Sequence, residues 1–393
     1  MNQLSSPPAV ILDLGFAGYG AVRSLAKFNV PIIGFINTQR YFPEYATSLV
    51  WKKIKYSEEE ELLEKLKEIG HAYDRPTLYL TTDLYVIFFK NHMDELAPLF
   101  RMNFPDPDTV DMMMNKEDFY DFAIQHNIKV PKTLNMKQWS DYEAVASEFE
   151  FPLVLKPSYR KKAWNQAGLP KAFFLYNQQE LSDAFEKSAP IDNNLLVQEY
   201  IPGEDWDIYH CLAYFDENSE CLGAFMGKKL RQWPVDTGTS TATVPYDDDA
   251  LKEESIRIFQ LANYRGFGSV EFKRHTENGG FYVIEPTVGR LDQNEYVCTL
   301  NGLNMPMIGH QDLQQLAPIN FEQTERPAVY IEELTELASA FTHIKRGNIS
   351  IGEWWKSLSG LKKGFRYLNP KDLRVFLGLF VKILTVLKKK IFR

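Results

Sequence analysis

Two neighbouring stretches constrain this chain more than any other part of it. Gly268-Ser-Val-Glu-Phe-Lys-Arg274 and Phe281-Tyr-Val-Ile-Glu-Pro-Thr-Val-Gly-Arg290 alternate apolar and polar residues and flank the turn His275-Thr-Glu-Asn-Gly-Gly280. The pattern predicts a β-hairpin. Glu271 lies on the first strand and Glu285 on the second, each between apolar neighbours. Both carboxylates then project from a sheet among positions that otherwise suit a core. Two carboxylates converging from adjacent strands repel unless a cation sits between them. Mg²⁺ fits, because it usually takes one or two carboxylates and fills its shell with phosphate oxygens and water. Arg290 follows at once, so the hairpin reads as the metal end of a nucleotide-phosphate site.

The rest of the chain must supply the walls of that site. Its 393 residues exceed one ordinary domain and suggest two or three. Hydrophobic residues make up 45% and charged residues 24%, as in a soluble globular protein, and 14% aromatics argue for substantial cores. The three cysteines, Cys211, Cys221 and Cys298, form no C-x-x-C pair, and no His cluster accompanies them. A disulfide framework or zinc site is not expected, which fits a reducing cytosol. The start, Met1-Asn-Gln-Leu-Ser-Ser-Pro-Pro8, lacks the basic region of a signal peptide. Residues 361–393 carry ten Lys and Arg against one Asp, a local net of +9, leaving −17 on the rest of a chain whose total is −8. Nucleic-acid binding by the body is therefore not expected.

Residues 9–14 and 30–36 read as buried strands joined by a helix, a βαβ opening that implies a parallel sheet. Gly15, Gly18 and Gly20 punctuate the turn, but their spacing is G-x-x-G-x-G. The second strand ends at Asn37, where a ribose-binding acid is wanted. A tight strand-to-helix turn is the better reading. Phe151-Pro-Leu-Val-Leu-Lys-Pro157 is a short buried strand ending in Lys156, and residues 158–170 are polar, basic and irregular. Leu195 to Gly203 runs from strand into turn. Residues 208–215 and 221–230 form a second hairpin, and Ala250 to Tyr264 an amphipathic helix.

The order of features is then Lys156, Gln198-Glu-Tyr-Ile-Pro-Gly203 with Glu204, Lys228-Lys-Leu-Arg231, Glu271, Glu285 and Arg290. This order resembles the ATP-grasp superfamily over roughly residues 9–310. Lys229-Leu-Arg-Gln-Trp-Pro-Val-Asp-Thr-Gly238 and Glu285-Pro-Thr-Val-Gly-Arg290 resemble bacterial carboxylate–amine ligases of the D-aspartate-ligase-like type. The resemblance implies an α/β and α+β architecture. A Rossmann-like parallel domain (1–110) precedes an ATP-grasp domain (111–320, lid about 130–195), and a helical basic region (321–393) follows.

The resemblance also implies roles. ATP lies between two antiparallel sheets. Lys156 and its companion Lys116 meet the phosphates, Glu199, Tyr200 and Ile201 border the adenine, and Glu204 holds the ribose. The loop near 158–170 closes over the phosphates. Glu271 and Glu285 bridge Mg²⁺ to the phosphates. Thr287 stands where the superfamily often has a third ligand, an Asn. The reaction implied activates a small carboxylate as an acylphosphate for attack by an amine. Both substrates and ATP bring charge, so the site must supply cations; Lys228, Arg231 and Arg290 are the candidates. Strand alternation puts Lys228 and Leu230 on one face and Lys229 and Arg231 on the other. Two other readings stay open: a different acylphosphate-forming enzyme such as a carboxylase, and a nucleotide-binding regulator without turnover, which Thr287 favours.

The tail stands outside that pattern. From Lys371, Leu373, Phe376, Leu377, Phe380, Leu384, Leu387 and Ile391 recur at helical spacing between basic clusters, and Lys382 interrupts a run too short to span a bilayer. An interfacial helix on an anionic membrane surface, through residues 370–393, and a helix packed on the acidic body are equally open. The expected setting is cytoplasmic, with the inner membrane face as an alternative, and a homodimer is a further open partner.

Overall fold

The computed structural model describes residues 7–159, 161–321, 324 and 326–391, without the side chains of 385–391. Strands β1 (Ala9–Leu12), β2 (Ile32–Asn37), β3 (Lys52–Tyr56) and β4 (Thr77–Tyr79) form a parallel sheet in the order β3-β2-β1-β4. Ala9 to Leu12 are fully buried, as expected of a strand covered on both faces. The helix Phe16–Ala26 makes the crossover. The glycine turn serves packing: a Cβ on Gly18 would lie 1.9 Å from the Asp13 carbonyl oxygen, and Gly20 meets Tyr296.

A second sheet combines β5 (Thr133–Met136), β6 (Leu153–Pro157), β7 (Phe173–Leu175) and β8 (Leu195–Glu199) in the antiparallel order β5-β8-β6-β7. Its core includes Leu155, Leu181 and Val197, with Trp164 fully buried. Trp164 corrects one expectation. Residues 158–170 are not irregular throughout, because the short helix Lys162–Gln166 inserts this indole into the core and its Nε1 donates to the Pro170 carbonyl at 2.8 Å.

The third sheet has seven strands in the order β13-β12-β9-β10-β11-β14-β15. They are β9 (Ile208–Phe215), β10 (Cys221–Trp233), β11 (Thr239–Pro245), β12 (Gly266–Arg274), β13 (Phe281–Val288), β14 (Ala328–Ile331) and β15 (Lys362–Phe365). Phe89, Phe104 and Val110 share one core with Phe259, Tyr264 and Val270, so the N-terminal sheet and the seven-stranded sheet are packed as one body. Residues 321–393 are helical over Glu333–Arg346, Ile351–Leu358 and Leu373–Ile391. They also give the large sheet its last two strands, which corrects the expectation of a purely helical region. The four-residue run Ala328-Val-Tyr-Ile331 is completely buried once it pairs with β11.

The helix Leu373–Ile391 has two apolar faces. Val375 and Leu379 are buried in the N-terminal core. Leu373, Leu377, Phe380 and Leu384 are 51–61% exposed. Gly378 lets the helix approach Pro43, and the Tyr41 hydroxyl donates to the Gly378 carbonyl at 3.0 Å. The side chains of Leu387, Lys388, Lys389, Lys390 and Ile391, and the whole of Arg393, lie outside what the structure describes. Among the described residues no helix is long and apolar enough to cross a membrane.

Candidate active site

The hairpin β12–β13 places Glu271 and Glu285 directly opposite each other, and Glu271 is in turn opposite His210 on β9, which is opposite Gly227 on β10. Directly paired residues on antiparallel strands project to the same face. Glu285, Glu271, His210 and Gly227 therefore form one row across four strands. Thr287 lies on that face too, opposite Ser269.

Each glutamate is met by a lysine. Lys116 Nζ lies 3.2 Å from Glu285 Oε1, and Lys229 Nζ lies 2.6 Å from Glu271 Oε2. Lys116 opens the helix Lys116–Gln125, whose cap is Asn115. The Asn115 Oδ1 accepts from Glu117 N at 3.0 Å and from the Ser158 hydroxyl at 2.7 Å. That cap ties the helix start to the end of β6 and brings Lys116 beside Lys156. The Lys156 ammonium donates to Gln198 Oε1 at 2.9 Å, and Gln198 donates to the Thr133 hydroxyl at 2.7 Å. Burial pushes Lys156 down to about 8, with Lys116 adding to the shift and Glu285 opposing it. The protein around Glu285 disfavours its charge, yet Lys116 and Lys156 hold its carboxyl well below the usual range. Its carboxylate is nonetheless 59% exposed, so water screens both lysines.

Lys116, Lys156 and Glu285 line one small cleft together with the apolar side chains Met113, Phe119, Leu196 and Val283. Apolar side chains beside a pair of cations suit a base with phosphates attached. Leu196 and Gln198 of β8 line this cleft, and the segment after β8 follows them in the chain. Glu199 N donates to the Lys132 carbonyl at 2.8 Å, the Tyr200 ring meets Phe174 edge-on, and Ile201 is buried. Glu204 caps a short helical turn and accepts from Asn348 Nδ2 at 3.0 Å. Lys273, which the sequence did not single out, donates to the carbonyls of Gly203 and Glu204 at 2.6 and 2.9 Å and fixes this segment to β12.

Two candidate cations lie elsewhere. The register slips by one between Lys229 and Arg231: Lys229 pairs with Thr243, but Arg231 pairs with Ala242. A bulge of this kind turns residues that simple alternation puts together onto opposite faces. Arg231 is buried against the C-terminal helices, its Nε 2.6 Å from Glu336 Oε1 and its Nη1 donating to the Ser357 hydroxyl at 3.0 Å. Lys228 lies over the Tyr209 ring, 5.1 Å from its centroid, on the face away from the glutamates. Lys229 is the cation that β10 contributes. Arg290 follows Gly289, whose φ of +65° turns the chain, and its Nε lies 2.5 Å from Asp83 Oδ1 in the N-terminal sheet region.

The sequence also passed over Asp292, which is half-buried and accepts from the Ser269 hydroxyl at 2.8 Å and from Asn294 N at 2.8 Å. Among the described residues no cluster of three or more His, Cys, Asp or Glu side chains is arranged to hold a metal. Two carboxylates facing each other across the hairpin, of which Glu285 lines the cleft, fit a hard cation that takes its remaining oxygens from phosphate and water.

No protein-family model matches the chain. It is 25% identical to D-aspartate ligase of Enterococcus faecium over 239 residues, 58% of this chain and 56% of that protein. It thus spans just over half the length of that relative. Its structure is similar to N5-carboxyaminoimidazole synthetase from Staphylococcus aureus complexed with ADP, with a TM-score of 0.65, 14% identity and coverage of 88% of each chain. It is also similar to the biotin carboxylase domain of Hydrogenobacter thermophilus 2-oxoglutarate carboxylase in complex with MgADP and bicarbonate. There the TM-score is 0.65 at 11% identity, covering 83% of this chain and 74% of that one. The chain has the ATP-grasp fold.

Proposed function

We propose that this chain, built on the ATP-grasp fold, is an ATP-dependent ligase that joins a small, amino-acid-like carboxylate to an amine and releases ADP and phosphate. One observation carries the reading: Glu285, the register partner of Glu271, lines a cleft with Lys116 and Lys156 among mostly apolar residues. The similarity to D-aspartate ligase favours an amino-acid-like carboxylate.

In this reading Lys156 and Lys116 bind the phosphates, and Glu199, Tyr200 and Ile201 border the adenine with Glu204 at the ribose. Glu271 and Glu285, with the Thr287 hydroxyl on the same face, hold Mg²⁺. When bound, the ion neutralises phosphoryl oxygens as charge shifts between them. Arg290 orients the substrate carboxylate, for which a guanidinium offers a paired donor set, and Lys229 offsets its charge from β10. A carboxylate oxygen attacks the γ-phosphorus as the bond to ADP breaks. The sheet β5–β8 excludes water from the acylphosphate. Lys228 and Arg231 have no part in this chemistry.

The test is release of ADP and phosphate by the full chain with ATP, Mg²⁺ and pooled amino acids. Release that needs both a carboxylate and an amine supports the ligase. Release with bicarbonate alone supports a carboxylase, and bound ATP without release supports a regulator.

We also infer that the helix Leu373–Ile391 rests on an anionic membrane surface on the cytoplasmic side. Leu373, Leu377, Phe380 and Leu384 face outward, Arg374 and Lys382 accompany them, and no acidic residue follows Asp372. A negative surface rimmed by apolar acyl chains is the complementary partner for this outer face.

A further inference from the structure

We propose that His210, with Asp292 behind it, receives the acceptor amine; this rests on the ligase reading above. His210 stands in the same row as both glutamates. It is 2% exposed, and among the described residues neither ring nitrogen has a hydrogen-bond partner. Buried polar atoms are nearly always bonded, so an unbonded imidazole beside a reaction site points to a ligand that bonds it.

The space it occupies is built for it. A Cβ on Gly227 would lie 2.3 Å from His210 Nε2, so only glycine at 227 leaves room for the ring. The groups that face it are of mixed sign. Lys229 is engaged by Glu271 at 2.6 Å, and Asp292 is fixed by Ser269 and Asn294. A neutral imidazole carries its proton on one nitrogen and leaves the other as an acceptor.

An attacking amine needs such a partner. Its lone pair must aim at the acyl carbon while its N–H bonds are held by acceptors. A lysine or arginine offers no acceptor; a neutral imidazole nitrogen and a carboxylate do. The nitrogen forms the C–N bond, the acyl C–O bond breaks with its electron pair leaving on phosphate, and the departing phosphate takes the proton that the nitrogen loses. His210 thus sets acceptance of the amine, while Arg290 and Lys156 serve the carboxylate and nucleotide.

The experiment compares wild type, His210→Ala, His210→Gln and Gly227→Ala, using the amino acid that wild type couples best and, separately, hydroxylamine, which traps the acylphosphate as a hydroxamate. His210→Ala and Gly227→Ala are expected to raise the KM for the amine by about tenfold or more, with hydroxamate yield and ATP KM within about twofold of wild type. His210→Gln, which keeps an acceptor, recovers part of the loss. Unchanged amine KM in both His210→Ala and Gly227→Ala overturns the proposal, as does equal loss of hydroxamate and amide. If His210→Ala does not fold, Gly227→Ala alone decides. Wild type that forms hydroxamate but couples no amine overturns the ligase reading itself, and this proposal with it.

Discussion

Lys116 and Glu285 meet at 3.2 Å, although one opens a helix and the other lies 169 positions later on a sheet edge. The contact joins two walls of the cleft, and among the described residues Glu285 is the one carboxylate that lines it. Glu285→Gln keeps the shape and removes the charge. Phosphate release is expected to fall by at least about a hundredfold, the scale of losing one electrostatic anchor of a transition state. ADP affinity, which draws on the apolar lining, is expected to stay within about tenfold. Turnover assays with parallel ADP titration check this; retained turnover would remove Glu285 from the metal site.

Lys229 and Lys228 are adjacent but answer to opposite faces. Lys229→Ala is expected to lower turnover by about a hundredfold or more, because it leaves Glu271 without its 2.6 Å partner and removes a cation from the row. Lys228→Ala is expected to change turnover by less than about threefold. The reverse order in steady-state assays would show that the carboxylate binds on the other side of the sheet.

This pair also marks where the sequence stopped being legible. The hairpin could be read because its alternation is regular and its glutamates have apolar flanks on both strands. The face of Lys229 and Arg231 could not, because the one-residue slip depends on how β10 meets β11, and no local pattern encodes it. His210 hides in Ile-Tyr-His-Cys-Leu-Ala-Tyr-Phe215, where a lone histidine reads as core. Its meaning comes from partners at 227, 271 and 292. Trp164 sits in a stretch whose lysines and glycine look like a loop, and only the tertiary core shows why it is helical.

Lys156 makes a stability prediction with a definite sign. Its folded-state pKa, about 8, is below its ordinary 10.5. The unfolded chain therefore binds more protons between those values, and stability rises as pH rises from about 8 to 10.5. At pH 7 the buried charge costs on the order of 3 kcal/mol. Lys156→Met should raise the urea midpoint of the ligand-free protein at pH 7, and its advantage should shrink above pH 8. It should also weaken ATP binding. An equal advantage at pH 7 and pH 10 would mean that Lys156 is not charged in the folded state.

Arg231 and Glu336 are each 3% exposed and 2.6 Å apart, with Thr241 and Trp354 also donating to the Glu336 carboxylate. Their role is to fix the C-terminal helices on the sheet. Removing one partner of such a pair leaves a buried charge alone, at a cost of about 3–5 kcal/mol. Arg231→Ala is expected to lower the denaturation midpoint accordingly, and Arg231→Met with Glu336→Leu to recover most of it. Catalytic constants of the double variant should stay near wild type. A folded double variant with turnover lost would return Arg231 to the reaction.

The helix Leu373–Ile391 offers the last test. Its inner face, Val375 and Leu379, is committed to the core, so substitutions on the outer face need not disturb folding. Leu377 and Phe380 are 61% and 51% exposed, and the Phe380 ring meets that of Phe376 edge-on at 5.1 Å. On a lipid surface each would bury apolar area, and each nearby Lys or Arg would add about 1 kcal/mol of attraction to anionic headgroups. The full chain is therefore expected to co-sediment with vesicles containing phosphatidylglycerol at low salt and to release as salt rises past about 0.3 M, where screening shortens the reach of these charges. Leu377→Glu with Phe380→Glu should abolish sedimentation while leaving the melting temperature and ATP turnover unchanged. Binding that ignores both salt and these substitutions would assign the surface to another partner, because neither the charge nor the apolar stripe would then be in use.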